Sequence, residues 1–167
     1  FGSRKGCEPL HIQYNPVDSV AEIVNRSGAD HMRLTALTRV LDINGRELGR
    51  SRSAVDSPED TTVPVAVPSL PDGYKGVYFI DQQLLDRKGH PLSTNFYVMS
   101  TDPYNYQTLN DLSKATVRLT NGRIRHDGDR RTMNVTLRNT SHVPAMLLRL
   151  NLLDADGDQV LPVNYSD

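Results

Sequence analysis

Tryptophan is absent from this 167-residue chain, cysteine occurs once, at Cys7, and glutamate four times, at Glu8, Glu22, Glu47 and Glu59. A lone cysteine excludes any disulfide within the chain and leaves Cys7 as a buried or idle thiol, with no partner base identified for a nucleophile. Nor do the glutamates form an acid/base pair. Glu22 falls on the polar side of an alternating run, Glu47 and Glu59 sit beside turns, and Glu8 opens a strand, so no catalytic residue is assigned. Charge of either sign is not in excess: 19 basic and 20 acidic residues leave a net charge of −1, which provides no general drive toward nucleic acid or anionic lipid. The apolar runs are of strand length, so no helix is expected to cross a membrane. The five histidines, His11, His31, His90, His126 and His142, lack ligand spacing, and no metal or other cofactor is implied. The opening Phe1 to Gly6 has neither an initiator methionine nor an apolar signal core, and reads as part of a longer polypeptide.

What the chain does have is one turn written three times: Leu41-Asp42-Ile43-Asn44-Gly45, Leu85-Asp86-Arg87-Lys88-Gly89 and Leu153-Asp154-Ala155-Asp156-Gly157. Aspartate at the start of a tight turn accepts hydrogen bonds from the backbone just ahead, and glycine at its end takes positive φ without a Cβ clash. Leu-Asp-x-x-Gly therefore specifies a short β-hairpin. Apolar residues alternate into each copy: Met32, Leu34, Ala36 and Val40; Tyr78, Ile80 and Leu84; Met146, Leu148, Leu150 and Leu152. Polar residues such as Arg33, Thr35, Arg39, Arg149 and Asn151 lie between them. This two-residue period is that of half-buried strands.

The first and third copies share more than the turn. Glu22-Ile23-Val24-Asn25-Arg26-Ser27 precedes one, and Thr136-Leu137-Arg138-Asn139-Thr140-Ser141 precedes the other. A recurrence at about 110 residues is one sandwich-sized module. The fold class read here is all-β, with two tandem β-sandwiches of which the second is incomplete, lacking roughly its last three strands. The boundaries are residues 1–104 for the first sandwich, 105–113 for a connector and 114–167 for the second.

In order, strands are expected over Glu8–Tyr14, Val20–Val24, Met32–Leu41, Thr61–Val67, Tyr74–Leu85 and Leu92–Ser100. Pro64 and Pro68 place the fourth of these at a sheet edge. Ser51 to Asp60 reads as an exposed loop. In the second module Ala115–Leu119, Met133–Leu137 and Pro144–Leu153 are strands, Gly122 to Gly128 is a polar turn, and Val160–Val163 starts a further strand.

A resemblance is carried by Cys7-Glu8-Pro9-Leu10-His11-Ile12-Gln13-Tyr14, by Asn95-Phe96-Tyr97 with Ser100-Thr101, by Tyr106-Gln107-x-Leu109-Asn110, and by Val160-Leu161-Pro162-Val163-x-Tyr165-Ser166-Asp167. In this order they resemble the C-terminal part of family 2 glycoside hydrolases, in the branch of exo-β-glucosaminidases, β-mannosidases and mannosylglycoprotein endo-β-mannosidases. The resemblance implies immunoglobulin-like sandwiches, a catalytic (β/α)₈ barrel elsewhere in the parent chain as partner, and a periplasmic or extracellular location. It also implies a retaining mechanism with two glutamates about 5 Å apart, both in the barrel. On this reading the segment is a non-catalytic accessory that supports the barrel. The alternative is an independent carbohydrate-binding module for a β-linked oligosaccharide. Such modules stack sugar rings on exposed aromatics, and Tyr104 and Tyr106 in the connector are the residues offered for carbohydrate binding.

Other patterns have simpler explanations. Asp154-Ala155-Asp156-Gly157-Asp158 begins like a calcium loop, but Gln159 and Tyr165 stand where glycine and glutamate are required, so a hairpin turn is preferred. Arg123, Arg125, His126, Arg130 and Arg131 are interleaved with Asp127 and Asp129 and read as a solvated turn. Asn25, Asn134, Asn139 and Asn164 head Asn-x-Ser/Thr triplets, of which Asn25 and Asn139 are read as turn residues at strand ends rather than glycan carriers.

Overall fold

The computed structural model describes residues 5–146 and 148–161, and the chain divides into two compact units, Phe1–Ser113 and Lys114–Asp167. The first unit has seven antiparallel strands: β1 (Leu10–Asn15), β2 (Val20–Asn25), β3 (His31–Asp42), β4 (Glu47–Ser57), β5 (Thr61–Val65), β6 (Val77–Leu85) and β7 (Pro91–Ser100). They form a three-stranded sheet in the order β1-β2-β5 and a four-stranded sheet in the order β4-β3-β6-β7. Two antiparallel sheets with β3, β6 and β7 side by side are the immunoglobulin-like arrangement. Ile12 and Ile23 from one sheet pack with Leu34, Ala36 and Leu84 from the other, all buried. With no disulfide to tie the sheets, this apolar interdigitation holds them together. A second cluster of Tyr14, Ala21 and Ile80 extends the core.

Two expectations change in the first unit. Residues 51–57 belong to β4 rather than to a loop, pairing along β3 from Glu47 opposite Leu41 to Ser57 opposite His31. Arg50, Arg52 and Ala54 are exposed while the small Ser51 and Ser53 between them are half-buried. The alternation is therefore one of size and charge and carries no apolar signal. Met32 is 43% exposed. A bulge between His31 and Leu34, with Arg33 at φ 58°, shifts it off the core face. β5 does lie at an edge, paired only with β2 through Ala21 opposite Val65 to Asn25 opposite Thr61.

The second unit contains the hairpin β8 (Val117–Asp127) and β9 (Arg130–Asn139), then the short pair β10 (Leu152–Leu153) and β11 (Gln159–Val160). Gly122 is not in a turn. The register shifts between Asn121 and Ile124, and a Cβ on Gly122 would lie 2.7 Å from the Asn134 carbonyl oxygen. Glycine here marks a bulge with close backbone approach, and the reversal comes later, at Gly128 with φ 56°. Of the strand expected over Pro144–Leu153, only Leu152–Leu153 is one. In the first unit the corresponding β3 is held between β4 and β6; among the described residues 144–151 have no such flanking strands. Residues 162–167 and Leu147 lie outside the described residues.

The two units repeat their hydrogen bonds atom for atom. Asn25 Oδ1 accepts from Ser27 N (3.1 Å) and Ser27 Oγ (2.8 Å), and its Nδ2 donates to Ala29 O (2.9 Å). Asn139 Oδ1 accepts from Ser141 N (3.0 Å) and Ser141 Oγ (2.6 Å), and its Nδ2 donates to Val143 O (2.7 Å). The three Leu-Asp-x-x-Gly turns agree as closely. Asp42 Oδ1 accepts from Asn44 N and Arg46 N, Asp86 Oδ1 from Lys88 N and His90 N, and Asp154 Oδ1 from Asp156 N and Asp158 N, at 2.8–3.0 Å. Gly45, Gly89 and Gly157 close them at φ 81°, 83° and 89°.

Candidate functional site

Tyrosines concentrate at one end of the first sandwich. Tyr14 on β1 meets Tyr97 on β7 edge to face, with ring centroids 5.7 Å apart, and the Tyr14 backbone N–H donates to Tyr97 Oη at 2.9 Å. Tyr78 on β6 meets Tyr74 in the same way at 6.4 Å, and Tyr74 Oη donates to Val77 O at 2.7 Å. Each pair thus places one ring that is fixed by its neighbour. Burial raises the Tyr78 phenol above its ordinary pKa, reinforced by the nearby Tyr14 and Tyr106. Burial also raises Tyr97, against the opposing effect of the Tyr14 N–H, and it raises Tyr74, with Asp42 adding to it. All of these phenols are neutral at physiological pH.

Between the sheets at this end opens a cleft of about 270 Å³. Tyr14, Tyr78, Val40 and Ile80 line it from the strands, and Ser19 and Ser69 from the connections. Ser19 is held at φ 58° after the Asn15–Asp18 turn, in which Asn15 Oδ1 accepts from Val17 N and Asp18 Oδ1 from Val20 N. The opposite lip, Val67–Leu70, comes close to β4 because residue 49 is glycine; a Cβ there would stand 2.9 Å from Pro68 Cβ.

The two tyrosines expected to bind carbohydrate take different positions. Tyr104 is 95% exposed in the loop after β7, and Tyr106 is 39% exposed at the start of a 3-10 helix, Gln107–Asp111. No ring contact joins them among the described residues. Tyr106 acts electrostatically on Tyr78 and so stands toward the tyrosine end. Tyr14, Tyr78, Ser19 and Ser69 are not adjacent in sequence, and only the fold brings them together.

The glutamates are occupied separately. Glu8 receives Lys5 Nζ at 2.9 Å and Ser93 Oγ at 2.7 Å. Burial pushes its carboxyl up, but these hydrogen bonds and the charges of Lys5 and His11 outweigh that and hold its pKa below the ordinary value. Glu22 accepts from Gln13 Nε2 at 2.7 Å, and Glu47 pairs with Arg50 at 2.7 Å. Glu59 has one buried oxygen without a partner among the described residues. The Asp154 carboxylate is engaged by its own turn, and no group of three or more His, Cys, Asp or Glu with metal-binding geometry occurs among the described residues. Cys7 is exposed. Arg123, Arg125 and His126 lie on β8 and Arg130 and Arg131 on β9, all exposed, so this basic group belongs to strands rather than to a turn.

Both sandwich architecture and repeat point to a known module. Residues 95–167 match the family of the exo-β-D-glucosaminidase Ig-fold domain. The likeness to the exo-β-glucosaminidase branch of family 2 glycoside hydrolases extends beyond that match. An exo-β-D-glucosaminidase of Amycolatopsis orientalis is 30% identical over an alignment covering all of this chain and 18% of its own length. One of Hypocrea virens is 27% identical, covering all of this chain and 21% of its own. The crystal structure of A. orientalis exo-chitosanase CsxA superposes with a TM-score of 0.84 at 27% identity, over 97% of this chain and 22% of that one. A complex of a variant of CsxA with PNP-β-D-glucosamine gives 0.83. The chain thus spans about a fifth of the length of these relatives.

Proposed function

We propose that this chain is a non-catalytic accessory region of a retaining exo-β-glucosaminidase, built of sandwich modules over residues 1–104 and 114–167 with a connector at 105–113, and packed against a catalytic barrel elsewhere in the parent. The observation that supports it best is the agreement with exo-β-D-glucosaminidases in sequence over the whole chain and in fold over 97% of it. Its chemistry fits: Glu8 is bound to a lysine and a serine, Glu22 to an amide and Glu47 to an arginine, rather than being arranged around a cleft.

The surface fits as well. The β8–β9 hairpin sets Leu119 opposite Leu137 and Ile124 opposite Met133, and these four side chains are 51%, 38%, 55% and 38% exposed. A two-stranded ribbon with an uncovered apolar face is marginal in water and is stabilised by what packs on it. The test uses PNP-β-D-glucosamine with the chain alone and with the parent enzyme. No turnover is expected from the chain, and the parent's first-formed sugar should be the β anomer by proton NMR. Hydrolysis by the chain alone would overturn the accessory reading, and an α product would overturn retention.

A further inference from the structure

The interior of the first sandwich is not apolar throughout. We propose that it holds an ordered internal water between its two apolar clusters, bound by the Gln82 side-chain amide and the Thr38 hydroxyl.

The register sets four polar side chains in one row across the four-stranded sheet. Ser51 on β4 lies opposite Thr38 on β3, Thr38 opposite Gln82 on β6, and Gln82 opposite Asn95 on β7. The row faces the interior, because Ile80 and Leu84, two residues to either side of Gln82 on the same strand, are both buried core residues. Leu84 belongs to the cluster with Ile12 and Ile23, and Ile80 to the one with Tyr14 and Ala21. The polar row therefore runs between the two clusters. Its central members are sealed from bulk solvent, with Gln82 0% and Thr38 1% exposed, while Ser51 and Asn95 at the flanks are half-buried.

Gln82 Oε1 and Nε2 are both buried, and neither has a hydrogen-bond partner among the described residues. An amide buried in that state is costly, and such groups in folded proteins are met by other protein groups or by ordered water. The neighbours in the row cannot saturate it. Asn95 is turned to the backbone: its Nδ2 donates to Ile12 O at 3.4 Å and its Oδ1 accepts from Phe96 N at 3.2 Å. Thr38 offers one hydroxyl hydrogen, whereas the amide presents two N–H donors and two lone pairs. Water both donates and accepts, so it complements an amide and a hydroxyl together. An ion does not fit, since no charged side chain stands in the row to balance it. Ser51 and Thr38 in the row and Ala36 and Ala21 in the flanking clusters are all short, which leaves space beside the longer Gln82 side chain.

Two measurements on the chain test this. Oxygen-17 magnetic relaxation dispersion of the solvent counts long-lived internal waters without interference from labile protein protons. Gln82→Met keeps the length of the side chain and removes its hydrogen-bonding groups, so the dispersion amplitude should fall by at least one water per chain relative to the natural sequence. In the unmutated, isotope-labelled chain, the Gln82 side-chain amide protons should show cross-peaks to water, of opposite sign in NOE and ROE spectra as a bound water requires; this reading stands even if the variant fails to fold. Equal dispersion amplitudes for a folded Gln82→Met and the natural chain would overturn the proposal, as would Gln82 amide protons without a water cross-peak.

Discussion

Replacing Asn25 by alanine should be one of the most damaging polar substitutions in the first sandwich, and the same change at its repeat partner Asn139 one of the mildest. Asn25 is fully buried. Beyond the loop bonds it shares with Asn139, its Nδ2 also reaches Ser57 O at 2.8 Å and Pro58 O at 3.1 Å. It thereby ties the end of β2 to the end of β4. Alanine leaves the Ser57 carbonyl without this donor in a buried position, which costs about 1–3 kcal/mol. The Ala29 and Pro58 bonds are only part-buried and are replaced by water at a further ~1 kcal/mol together. The expected loss is about 2–4 kcal/mol, a large part of a domain's stability. Among the described residues the Asn139 side chain makes only the loop bonds, all exposed, so Asn139→Ala should cost at most about 1 kcal/mol. Urea denaturation followed by far-UV circular dichroism reads both. Equal losses for the two variants, or less than about 1 kcal/mol at Asn25, would refute the reasoning. The same geometry predicts that Asn25 carries no glycan, which peptide mapping by mass spectrometry after expression through a eukaryotic secretory pathway checks.

Leu84, fully buried where the two sheets interdigitate, should cost about 2–5 kcal/mol on truncation to alanine, read as a lower denaturation midpoint. Glu8 has a pKa lowered in the folded state, so its contribution is present above the unfolded carboxyl value and is lost as pH falls through the lowered one. Glu8→Gln should flatten the acid limb of the stability profile and leave its alkaline side unchanged. Gly122→Ala sets a Cβ 2.7 Å from the Asn134 carbonyl. It should loosen the β8–β9 hairpin, visible as faster amide exchange from Val117 to Asn139, with Leu10–Asn25 unaffected.

Elements whose signal is local were legible in the sequence. Each Leu-Asp-x-x-Gly turn contains its own hydrogen-bond acceptor and its own positive-φ residue, and all three form as read. The Asn-x-Ser loops likewise hold their own partners, so the repeat could be seen before any coordinates. β4 was not legible because an edge strand facing the core with serine shows no apolar alternation. Gly122 misled because glycine marks a bulge as readily as a turn, and only the register of β9 distinguishes them. The strand expected over Pro144–Leu153 has the right pattern, but a pattern becomes a ladder only beside another strand. The cleft was invisible for a different reason: Tyr14, Ser19, Ser69 and Tyr78 come from four separate segments, and nothing near any one of them in sequence announces the others.

Pro64 on β5 has a consequence for handling the protein. β5 is the rim of its sheet, and proline there withholds a backbone donor that another polypeptide would use to zip alongside. Replacing Pro64 with valine would turn the rim into an unbroken template of five β-favouring residues. Concentrated solutions of that variant should grow turbid on storage well before those of the natural sequence.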